Sequence, residues 1–231
     1  MAGNDVIMDI GAALNISAAP HVLISGSTGS GKSVCLNSII YKCLLLDPAS
    51  EMIFIDIKRV ELNRYRKLKQ CICYANTIES ALKALQYCHN VMMIRYQILE
   101  KHEMRQWPAG SMYIFIDELA DLVQQSKALQ SVLVSIARLG RAADVHIVAA
   151  CQHCTREIIS TQFRYNMPTR ILFRTTKNAS MLLLDHGGAE KLKGRGHGII
   201  LQADGSEEEY QNIYISDDQI DSLIEKNKKE G

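Results

Sequence analysis

Short apolar runs alternate along the chain with longer stretches in which apolar residues recur every three or four positions. The runs are HVLIS (21–25), MIFID (52–56), MYIFID (112–117), VHIVAAC (145–151) and RILFR (170–174). Helical patterns cover residues 32–46, 78–102 and 127–143. Strands that are apolar throughout and separated by helices are typical of a parallel sheet covered on both faces. The pattern therefore predicts an α/β fold with a mainly parallel central sheet flanked by helices.

The last part of the chain departs from this alternation. HGIIL (197–201) and EEYQNIYI (208–215) predict a C-terminal β-hairpin, and an acidic helix is expected after it. A chain of 231 residues is long enough for one sizeable core. We predict a single domain at 20–216, preceded by a lead-in at 1–19 and followed by an acidic helix or tail at 217–231.

Composition excludes few classes of function, but the charges are unevenly distributed along the chain. The net charge is only +1, yet residues 58–69 hold six basic side chains against one acid, and residues 138–177 hold seven against two. Residues 204–231 hold nine acids against three lysines. Basic residues grouped in this way fit an anion-binding groove or pore, and they equally fit solvated faces of opposite sign. Charge alone leaves both interpretations open.

The lack of targeting signals and the pattern of cysteines both predict a cytoplasmic protein. No apolar run reaches the ~18 residues of a membrane span. The opening MAGNDVIMDI lacks the basic and apolar regions of a signal peptide, so a cytoplasmic chain without membrane contact is expected. Seven cysteines in apolar stretches indicate free thiols. Cys151 and Cys154 form a C-x-x-C, but no second pair lies at zinc-site spacing, so a structural role is favoured there.

The first apolar run is followed by GSTGSGKS (26–33), which matches G-x-x-x-x-G-K-[ST] between a strand and a helix. Glycines let such a loop turn its backbone N–H groups toward a phosphate, and the helix start adds its positive dipole end. Lys32 is predicted to reach the β- and γ-phosphates of a nucleotide, and the Ser33 hydroxyl to hold Mg²⁺. The predicted nucleotide-binding residues are Gly26, Ser27, Thr28, Gly29, Ser30, Gly31, Lys32, Ser33 and Val34.

The tetrapeptide IFID occurs twice, at 53–56 and 114–117, and each copy ends in an aspartate. Asp117 is followed at once by Glu118, and this pair can divide the chemistry: Asp117 holds Mg²⁺ through Ser33 or water, and Glu118 polarises the attacking water. An acid pair that caps the next helix is the structural alternative. Asp56 is followed by Ile57 and two basic residues, which compensate its charge. We therefore predict that the second copy is catalytic.

Five segments carry a wider resemblance. They are PHVLISGSTGSGKS, IDIKRVELNRY, FIDELADLV, IARLGRAADVHIVAACQ and NMPTRILFRTT, in this order over roughly residues 20–215. Together they resemble the motor domain of the FtsK/SpoIIIE DNA translocases. The resemblance implies a RecA-like P-loop fold that binds ATP and Mg²⁺. It also implies a homo-hexameric ring that hydrolyses ATP at its subunit interfaces and moves along double-stranded DNA.

The resemblance implies further site residues. In such ATPases the fourth strand lies between the P-loop strand and the strand before the acid pair, which makes Gln152 a candidate γ-phosphate sensor; a turn-forming glutamine is the alternative. Arg141, on the helix before that strand, matches an arginine that enters the neighbouring subunit's site, with Arg138 as runner-up and a surface arginine as the alternative. Asp56 and Lys58 would brace the nucleotide pocket or a subunit contact.

The chain departs from the family pattern in two segments, and a second function stays open. Ile57 replaces the family's proline, and residues 150–154 read ACQHC instead of A-T-Q-R-P. Neither the family's membrane-spanning region nor its winged-helix module is found in the sequence, so a bare motor is expected, with a membrane-tethered full-length form left open. A conjugative coupling or type VII-like secretion ATPase, moving DNA–protein or protein substrates, is the alternative function. Basic residues between 156 and 177 are expected to line the DNA channel.

Overall fold

The computed structural model describes residues 19–229. The strands are β1 (His21–Ser25), β2 (Glu51–Ile55), β3 (Cys71–Ala75), β4 (Met112–Ile116), β5 (Val145–Cys151), β6 (Thr169–Phe173), β7 (His197–Leu201) and β8 (Glu207–Gln211). The helices are α1 (Lys32–Leu46), α2 (Ile78–Lys101), α3 (Leu119–Gln125), α4 (Lys127–Leu139), α5 (Thr161–Asn166), α6 (Lys177–Leu184) and α7 (Asp217–Lys226). Short 3-10 helices lie at Asn63–Lys67 and Ala189–Lys191. The lead-in predicted at 1–19 lies, apart from Ala19, outside the described residues.

One eight-stranded sheet has the order β3-β2-β4-β5-β1-β6-β7-β8. The strands from β3 to β6 in this order run parallel, and β7 and β8 add an antiparallel hairpin. The predicted α/β fold, the mainly parallel sheet and the terminal hairpin are confirmed. β5 lies between β4 and β1, as the family resemblance implies. The carboxyl ends of β1, β4 and β5 therefore meet at one edge, called the carboxyl edge below; the opposite edge is the amino edge.

The sheet is buried on both faces because its strands are apolar at successive positions. On β2, Ile53 and Ile55 belong to a core formed with α2 and α4. Phe54 points the other way, into a core with α1 and α7. Its ring stacks on Tyr65 at 5.3 Å and on Phe115 at 5.4 Å between centroids. Apolar area on both faces stabilises this two-sided arrangement by roughly 25 cal/mol for each Å² removed from water.

Several boundaries differ from the predicted ones. The predicted helix at 127–143 ends at Leu139, because Gly140 caps it and Asp144, at φ 55°, turns the chain into β5. The second hairpin strand, predicted to reach residue 215, ends at Gln211. β3 was not predicted; it is a five-residue strand at the edge of the sheet with one exposed and two half-buried positions. Within residues 19–229, no helix is both long and apolar enough to cross a membrane.

His21 begins β1 and is buried beside the start of strand β5. Its Nδ1 accepts a hydrogen bond from the Ile147 amide at 3.0 Å, which requires an unprotonated nitrogen. Burial above all, and then His146, lower the pKa of His21 from 6.5 to about 3. The unfolded chain therefore takes up a proton below pH 6.5 that the folded chain does not take up until about pH 3.

This linkage predicts acid destabilisation through His21. Between pH 7.5 and 5.0 the free energy of unfolding of the wild type should fall by about 2 kcal/mol more than that of His21→Asn, since each pH unit below 6.5 costs up to ~1.4 kcal/mol. The asparagine Oδ1 can still accept from Ile147 but does not titrate. Urea unfolding of both proteins at the two pH values measures the difference. Equal losses in the two proteins would contradict the prediction.

Candidate functional site

The predicted site residues meet at the carboxyl edge because three neighbouring parallel strands end there. The loop 26–33 follows β1, Asp117 and Glu118 follow β4, and Gln152 follows β5. Crevices at such edges are the usual ligand sites of open α/β sheets. The residues that the sequence pattern singled out in three separate segments are therefore brought to one place by the topology.

The loop 26–33 is shaped by glycines where other residues would be strained. Gly29 has φ 71° and Gly31 has φ 123°. A Cβ on Gly31 would lie 2.9 Å from the Gly196 Cα, so the loop before β7 packs directly on this turn. Gly31 is the N-cap of α1 and supplies no side-chain cap, which leaves the helix's first N–H groups to other partners. This arrangement fits an anion such as a phosphate at the start of α1.

Lys32 extends its side chain back across the loop. Its Nζ donates to the carbonyl oxygens of Gly26 at 2.6 Å and Ser27 at 3.1 Å. Burial lowers the pKa of Lys32, and the nearby charges of Glu118 and Asp117 oppose this shift. The ammonium thus lies between the phosphate loop and the acid pair, which is where a cation can neutralise phosphate charge.

Glu118 is buried and caps the helix that follows it. Its Oε1 accepts from the Ala120 amide at 3.3 Å, and its two carboxylate oxygens share the Gln152 amide at 3.1 and 3.2 Å. Lys58 Nζ lies 3.9 Å from Oε2 and 3.5 Å from Asp121 Oδ2. The capping role, which is the structural alternative to catalysis, is therefore present. A carboxylate has about four acceptor positions, so Oε2 keeps capacity for a water molecule.

Asp117 is half-buried in a cluster of carboxyl groups. Burial is the main cause that raises its pKa from 3.8 to about 7, and Asp56, Glu61 and Glu118 add to the shift, while Lys58 opposes it. Negative charge is concentrated here with little compensation, which fits a divalent cation. No three His, Cys, Asp or Glu side chains among residues 19–229 form a metal site by themselves. Mg²⁺ commonly binds one or two protein groups together with substrate phosphates, so the two observations agree.

Gln152 connects the acid pair to the phosphate loop. Its side-chain Nε2 donates to Thr28 Oγ1 at 2.6 Å, and its backbone N–H donates to the Glu118 carboxylate. A change at the loop can therefore be transmitted to Glu118 through one residue. The contact places Gln152 against the phosphate loop, and its role as a γ-phosphate sensor stays a prediction.

The first IFID copy has a local structural role. Asp56 is fully buried, and its two oxygens accept from the amides of Arg59 at 2.7 Å and Leu62 at 2.9 Å. These bonds close the loop after β2, from which Lys58 reaches Glu118 and Asp121. Asp56 thus holds the loop beside the acid pair and Lys58 contacts Glu118 and Asp121, while the pocket and subunit-contact roles that the resemblance implies stay predictions.

Arg141 lies away from its own chain's site. It was expected on the helix before β5, but α4 ends at Leu139 and Arg141 is an exposed residue of the following turn. This turn precedes β5 and therefore lies at the amino edge, opposite the phosphate loop. Arg138 is exposed on the last turn of α4 at the same edge. The structure brings neither arginine to Lys32 or Glu118 of the same chain.

Two arginines of the expected DNA channel are engaged within the fold. Arg164 donates to the Leu182 carbonyl at 2.6 Å and to Asp185 at 2.7 Å. Arg170 is buried, with its guanidinium on three backbone carbonyls. Side chains held in this way support packing, so neither arginine is available to contact DNA. The exposed basic residues of the segment are Arg156, Arg174 and Lys177.

Residues from the C-terminal part complete the site and were not predicted. A cavity of about 320 Å³ beside the phosphate loop is lined by Lys32, Ser33 and Val34 and, across from them, by Arg195, Gly196, Asn212 and Tyr214. Gly196 donates its N–H to the Ser30 carbonyl at 2.9 Å, which attaches this wall to the loop. The sequence GRG at 194–196, where all three residues have positive φ, is the signal that could have indicated a special turn.

The cysteines form no disulfide, as predicted. All seven are free. Cys154 Sγ lies 3.2 Å from Ser25 Oγ at the end of β1, and both groups are buried. The C-x-x-C therefore packs beneath the phosphate loop.

The fold and the site together define a P-loop ATPase with an additional strand between the phosphate-loop strand and the acid-pair strand. The chain belongs to the FtsK/SpoIIIE family: the family model matches residues 2–110. The DNA translocase FtsK of Listeria monocytogenes is 33% identical over 235 residues, an alignment covering 91% of this chain and 31% of that protein. Its counterpart in Streptococcus agalactiae is 32% identical, with 91% and 29% covered. The chain spans about a third of the length of these curated relatives.

Solved structures share the fold at lower sequence identity. The conjugation coupling protein TcpA of pCW3, with ATPγS, has a TM-score of 0.82 and 23% identity over 93% of this chain and 67% of that chain. The cytoplasmic domain of the type VII secretion ATPase EccC of Thermomonospora curvata has a TM-score of 0.75 and 21% identity over 92% of this chain and 28% of that chain. At these identities the likeness establishes the fold and nothing further.

Proposed function

We propose that this chain is the ATP-hydrolysing motor of a DNA translocase, working as a ring on double-stranded DNA. The observation that carries the proposal is the connected contact from Thr28 through Gln152 to Glu118, because it links the phosphate loop to the candidate general base across three strands. A motor needs such a link, since the state of the γ-phosphate has to be reported to the rest of the molecule. The relatives described as DNA translocases supply the choice of DNA as substrate.

Each site residue has a role in this proposal. The loop 26–33 and the start of α1 bind the phosphates, and Lys32 supplies a positive charge to them. Ser33 and Asp117 would hold Mg²⁺, which when bound neutralises charge on the β- and γ-phosphates. Glu118 orients and polarises the attacking water through Oε2. Gln152 contacts the γ-phosphate side of the loop through Thr28.

Arg141 is proposed to act on the neighbouring subunit. Its exposure and its place at the amino edge leave it free to meet another copy's carboxyl edge, which is a head-to-tail contact of the kind that closes a ring. An arginine supplied in this way stabilises charge on the transferring phosphoryl group. The homo-hexamer is part of this proposal.

A coupling or secretion ATPase is the second candidate function. It is favoured by the fold shared with TcpA and EccC, one described as a conjugation coupling protein and the other as a type VII secretion ATPase. The decisive experiment measures the ATPase rate against added duplex DNA, with sizing of the nucleotide-bound form. DNA-stimulated turnover by a ring supports the translocase. Turnover that is unaffected by DNA would favour a protein substrate, and no turnover in any assembled form would refute the motor.

The exposed arginines and lysine near the carboxyl edge are the proposed DNA contacts. Arg156 and Asn178, the neighbour of Lys177, line one cleft of about 430 Å³. Arg156 and Lys177 are both exposed; Arg156 follows strand β5 and Lys177 follows strand β6. Contacts of this kind to phosphates would hold a duplex without reading its bases.

Neutralising Arg156 and Lys177 should weaken binding to duplex DNA of any base sequence. For Arg156→Ala/Lys177→Ala we expect the slope of log K against log salt to flatten by up to about 1.8 for each subunit whose two side chains contact the duplex, since each lost phosphate contact contributes ~0.9. The measurement is binding to two unrelated duplexes across a salt series, in a non-hydrolysable ATP analogue. The matched control is Lys101→Ala/Arg105→Ala, which removes two exposed charges at the amino edge. Unchanged affinity and slope in the first variant would move the DNA path to the basic segment 58–69.

A further inference from the structure

Cys151 and Cys154 bring two thiols together at the end of β5, beneath the phosphate loop. A hydrogen bond between these thiols is the largest cause that raises the pKa of Cys151 and lowers that of Cys154. The Ser25 hydroxyl, 3.2 Å from Cys154 Sγ, and the charge of Lys32 lower the pKa of Cys154 further, while burial opposes them. Cys154 is therefore the thiol of the pair that ionises more readily.

The other five cysteines lack these surroundings. Burial is the largest cause that raises the thiol pKa of Cys35, Cys43, Cys71, Cys73 and Cys88. Cys154 lines the cleft of about 430 Å³ that follows β5 and is 8% exposed, whereas Cys151 is fully buried. Since the thiolate is the form that reacts with oxidants, Cys154 is the thiol within residues 19–229 that an oxidant should attack first.

The turn between the two cysteines holds the acid pair in place. Gln152 lies inside this turn, and its backbone N–H donates to the Glu118 carboxylate at 3.1 and 3.2 Å. A disulfide holds its sulfurs about 2.05 Å apart, closer than two thiols that share a hydrogen bond. Closing one would therefore tighten the turn, draw Cys154 away from Ser25 and displace the Gln152 N–H from Glu118.

Neither cysteine belongs to the family pattern. The positions that read A-T-Q-R-P in the family read ACQHC at 150–154, so cysteines replace the threonine and the proline at the two ends of one turn. We propose that Cys151 and Cys154 are a redox modification site, at which a reversible disulfide slows ATP hydrolysis by moving Gln152 away from Glu118. The regulation rests on the proposed function, whereas formation of the disulfide does not.

A peroxide is the class of oxidant that fits this site, because it is small enough to enter the cleft. The Cys154 thiolate attacks one peroxide oxygen and breaks the O–O bond, which gives a sulfenic acid and hydroxide. The Cys151 thiol then attacks the Cys154 sulfur, so that the S–S bond forms and the sulfenic oxygen leaves as water. The hydroxide takes up the proton that Cys154 had released. Two thiols and one peroxide thus give one disulfide and two water molecules, and the two electrons pass from sulfur to oxygen.

Wild-type protein tests the modification site without any substitution. The full chain is reduced with dithiothreitol, freed of it, treated with hydrogen peroxide in the absence of DNA, alkylated and digested with trypsin. Tryptic peptide 142–156 contains Cys151 and Cys154 and no other cysteine. We expect this peptide to escape alkylation, to be lighter by two hydrogen atoms than the reduced peptide, and to regain both thiols in dithiothreitol. Free thiols, or oxygen added to Cys154 without a bond to Cys151, would overturn the modification site.

Hydrogen exchange tests the coupling to the acid pair. In the oxidised protein the Gln152 amide, followed by NMR, should exchange about tenfold faster than in the reduced protein, because its bond to the Glu118 carboxylate is lost. Unchanged exchange in protein that carries the disulfide would overturn the coupling. This measurement and the peptide mass need no ATP turnover, so both decide their parts of the proposal even if the proposed function fails.

Turnover tests the regulation. Peroxide should slow ATP hydrolysis by the wild type about tenfold or more, since misplacing a reacting group by ~1 Å can cost about a hundredfold, and dithiothreitol should restore it. Cys154→Ser should keep the reduced turnover within about twofold, since serine still hydrogen-bonds to Ser25, and should not respond to peroxide. Cys73→Ser, on the edge strand β3, is the matched control and should respond as the wild type does. Full turnover by the disulfide form, or inhibition that persists in Cys154→Ser, would overturn the regulation, whereas reduced wild type that never hydrolyses ATP would refute the proposed function.

Discussion

Replacing Glu118 with glutamine is expected to slow ATP turnover about a hundredfold or more while ATP binding stays within a few-fold of wild type. Glutamine keeps the size of the side chain and an oxygen that can accept from the Ala120 and Gln152 amides, so the start of α3 and the end of β5 should remain in place. It removes the negative charge that Oε2 offers to a water molecule. The Glu118→Gln variant should therefore still bind ATP but hydrolyse it slowly.

The measurement is steady-state ATPase activity in the presence of duplex DNA, together with the dissociation constant for ATP. Asp121→Asn is the matched control, because Asp121 lies on α3 and also contacts Lys58, at 3.5 Å. Loss of this exposed ion pair should change turnover by no more than about threefold. Turnover of the Glu118 variant within about twofold of wild type would show that Glu118 only caps α3.

Glu118 illustrates what the sequence can reveal of a site. The acid after a strand-end aspartate can be found in the sequence, and both of its roles can be anticipated. Its actual environment cannot be found in this way, because the Gln152 amide that binds its carboxylate comes from the residue after β5, 34 residues further along the chain. The strand order that makes them neighbours follows from the whole sheet. This order is implied by the family resemblance and not by the residues themselves.

Helices and strands could be predicted where the apolar periodicity and the length of the segment indicated the same type of element. β1, α1 and α2 match their predicted ranges to within one residue, because apolar strands and long amphipathic helices leave a strong pattern. Short elements leave a weak one: α3, α5 and α6 span only six to eight residues and were not predicted. The end of α4 was misjudged because the helical pattern continues past Gly140 in sequence, whereas the turn with Asp144 at φ 55° ends it in structure.

The cavity wall across from the phosphate loop was missed for a different reason. Arg195, Asn212 and Tyr214 carry no motif, and the hairpin of β7 and β8 brings them together only when it packs beside the phosphate loop. The loop 26–33 is a local sequence motif, whereas the opposite wall of the cavity is formed only by the tertiary structure.

Arg141→Ala should lower ATP turnover by about a thousandfold without changing ATP affinity, which is the size of effect that an arginine supplied by a neighbouring subunit provides. The residue is exposed at the amino edge and does not reach Lys32 of its own chain. Its removal therefore leaves each subunit's own pocket intact. Arg138→Ala, one turn earlier on the same edge, is the matched control. If Arg138→Ala carries the loss and Arg141→Ala does not, the assignment moves to Arg138.

Mixed rings distinguish action in trans from a local defect. An Arg141→Ala subunit still has Lys32, and a Lys32→Ala subunit still has Arg141, so an interface that combines the two intact residues is complete. In an equal mixture about a quarter of the head-to-tail interfaces have this composition, because each interface takes its site from one subunit and its arginine from the next. We expect ATPase activity to reappear on mixing, whereas neither variant alone is active. Light scattering with labelled subunits establishes that the rings mix. At single-turnover ATP, hydrolysis at one interface does not depend on hydrolysis at the next. If mixed rings stay inactive under this condition, Arg141 does not act across the interface and instead supports the fold of its own turn.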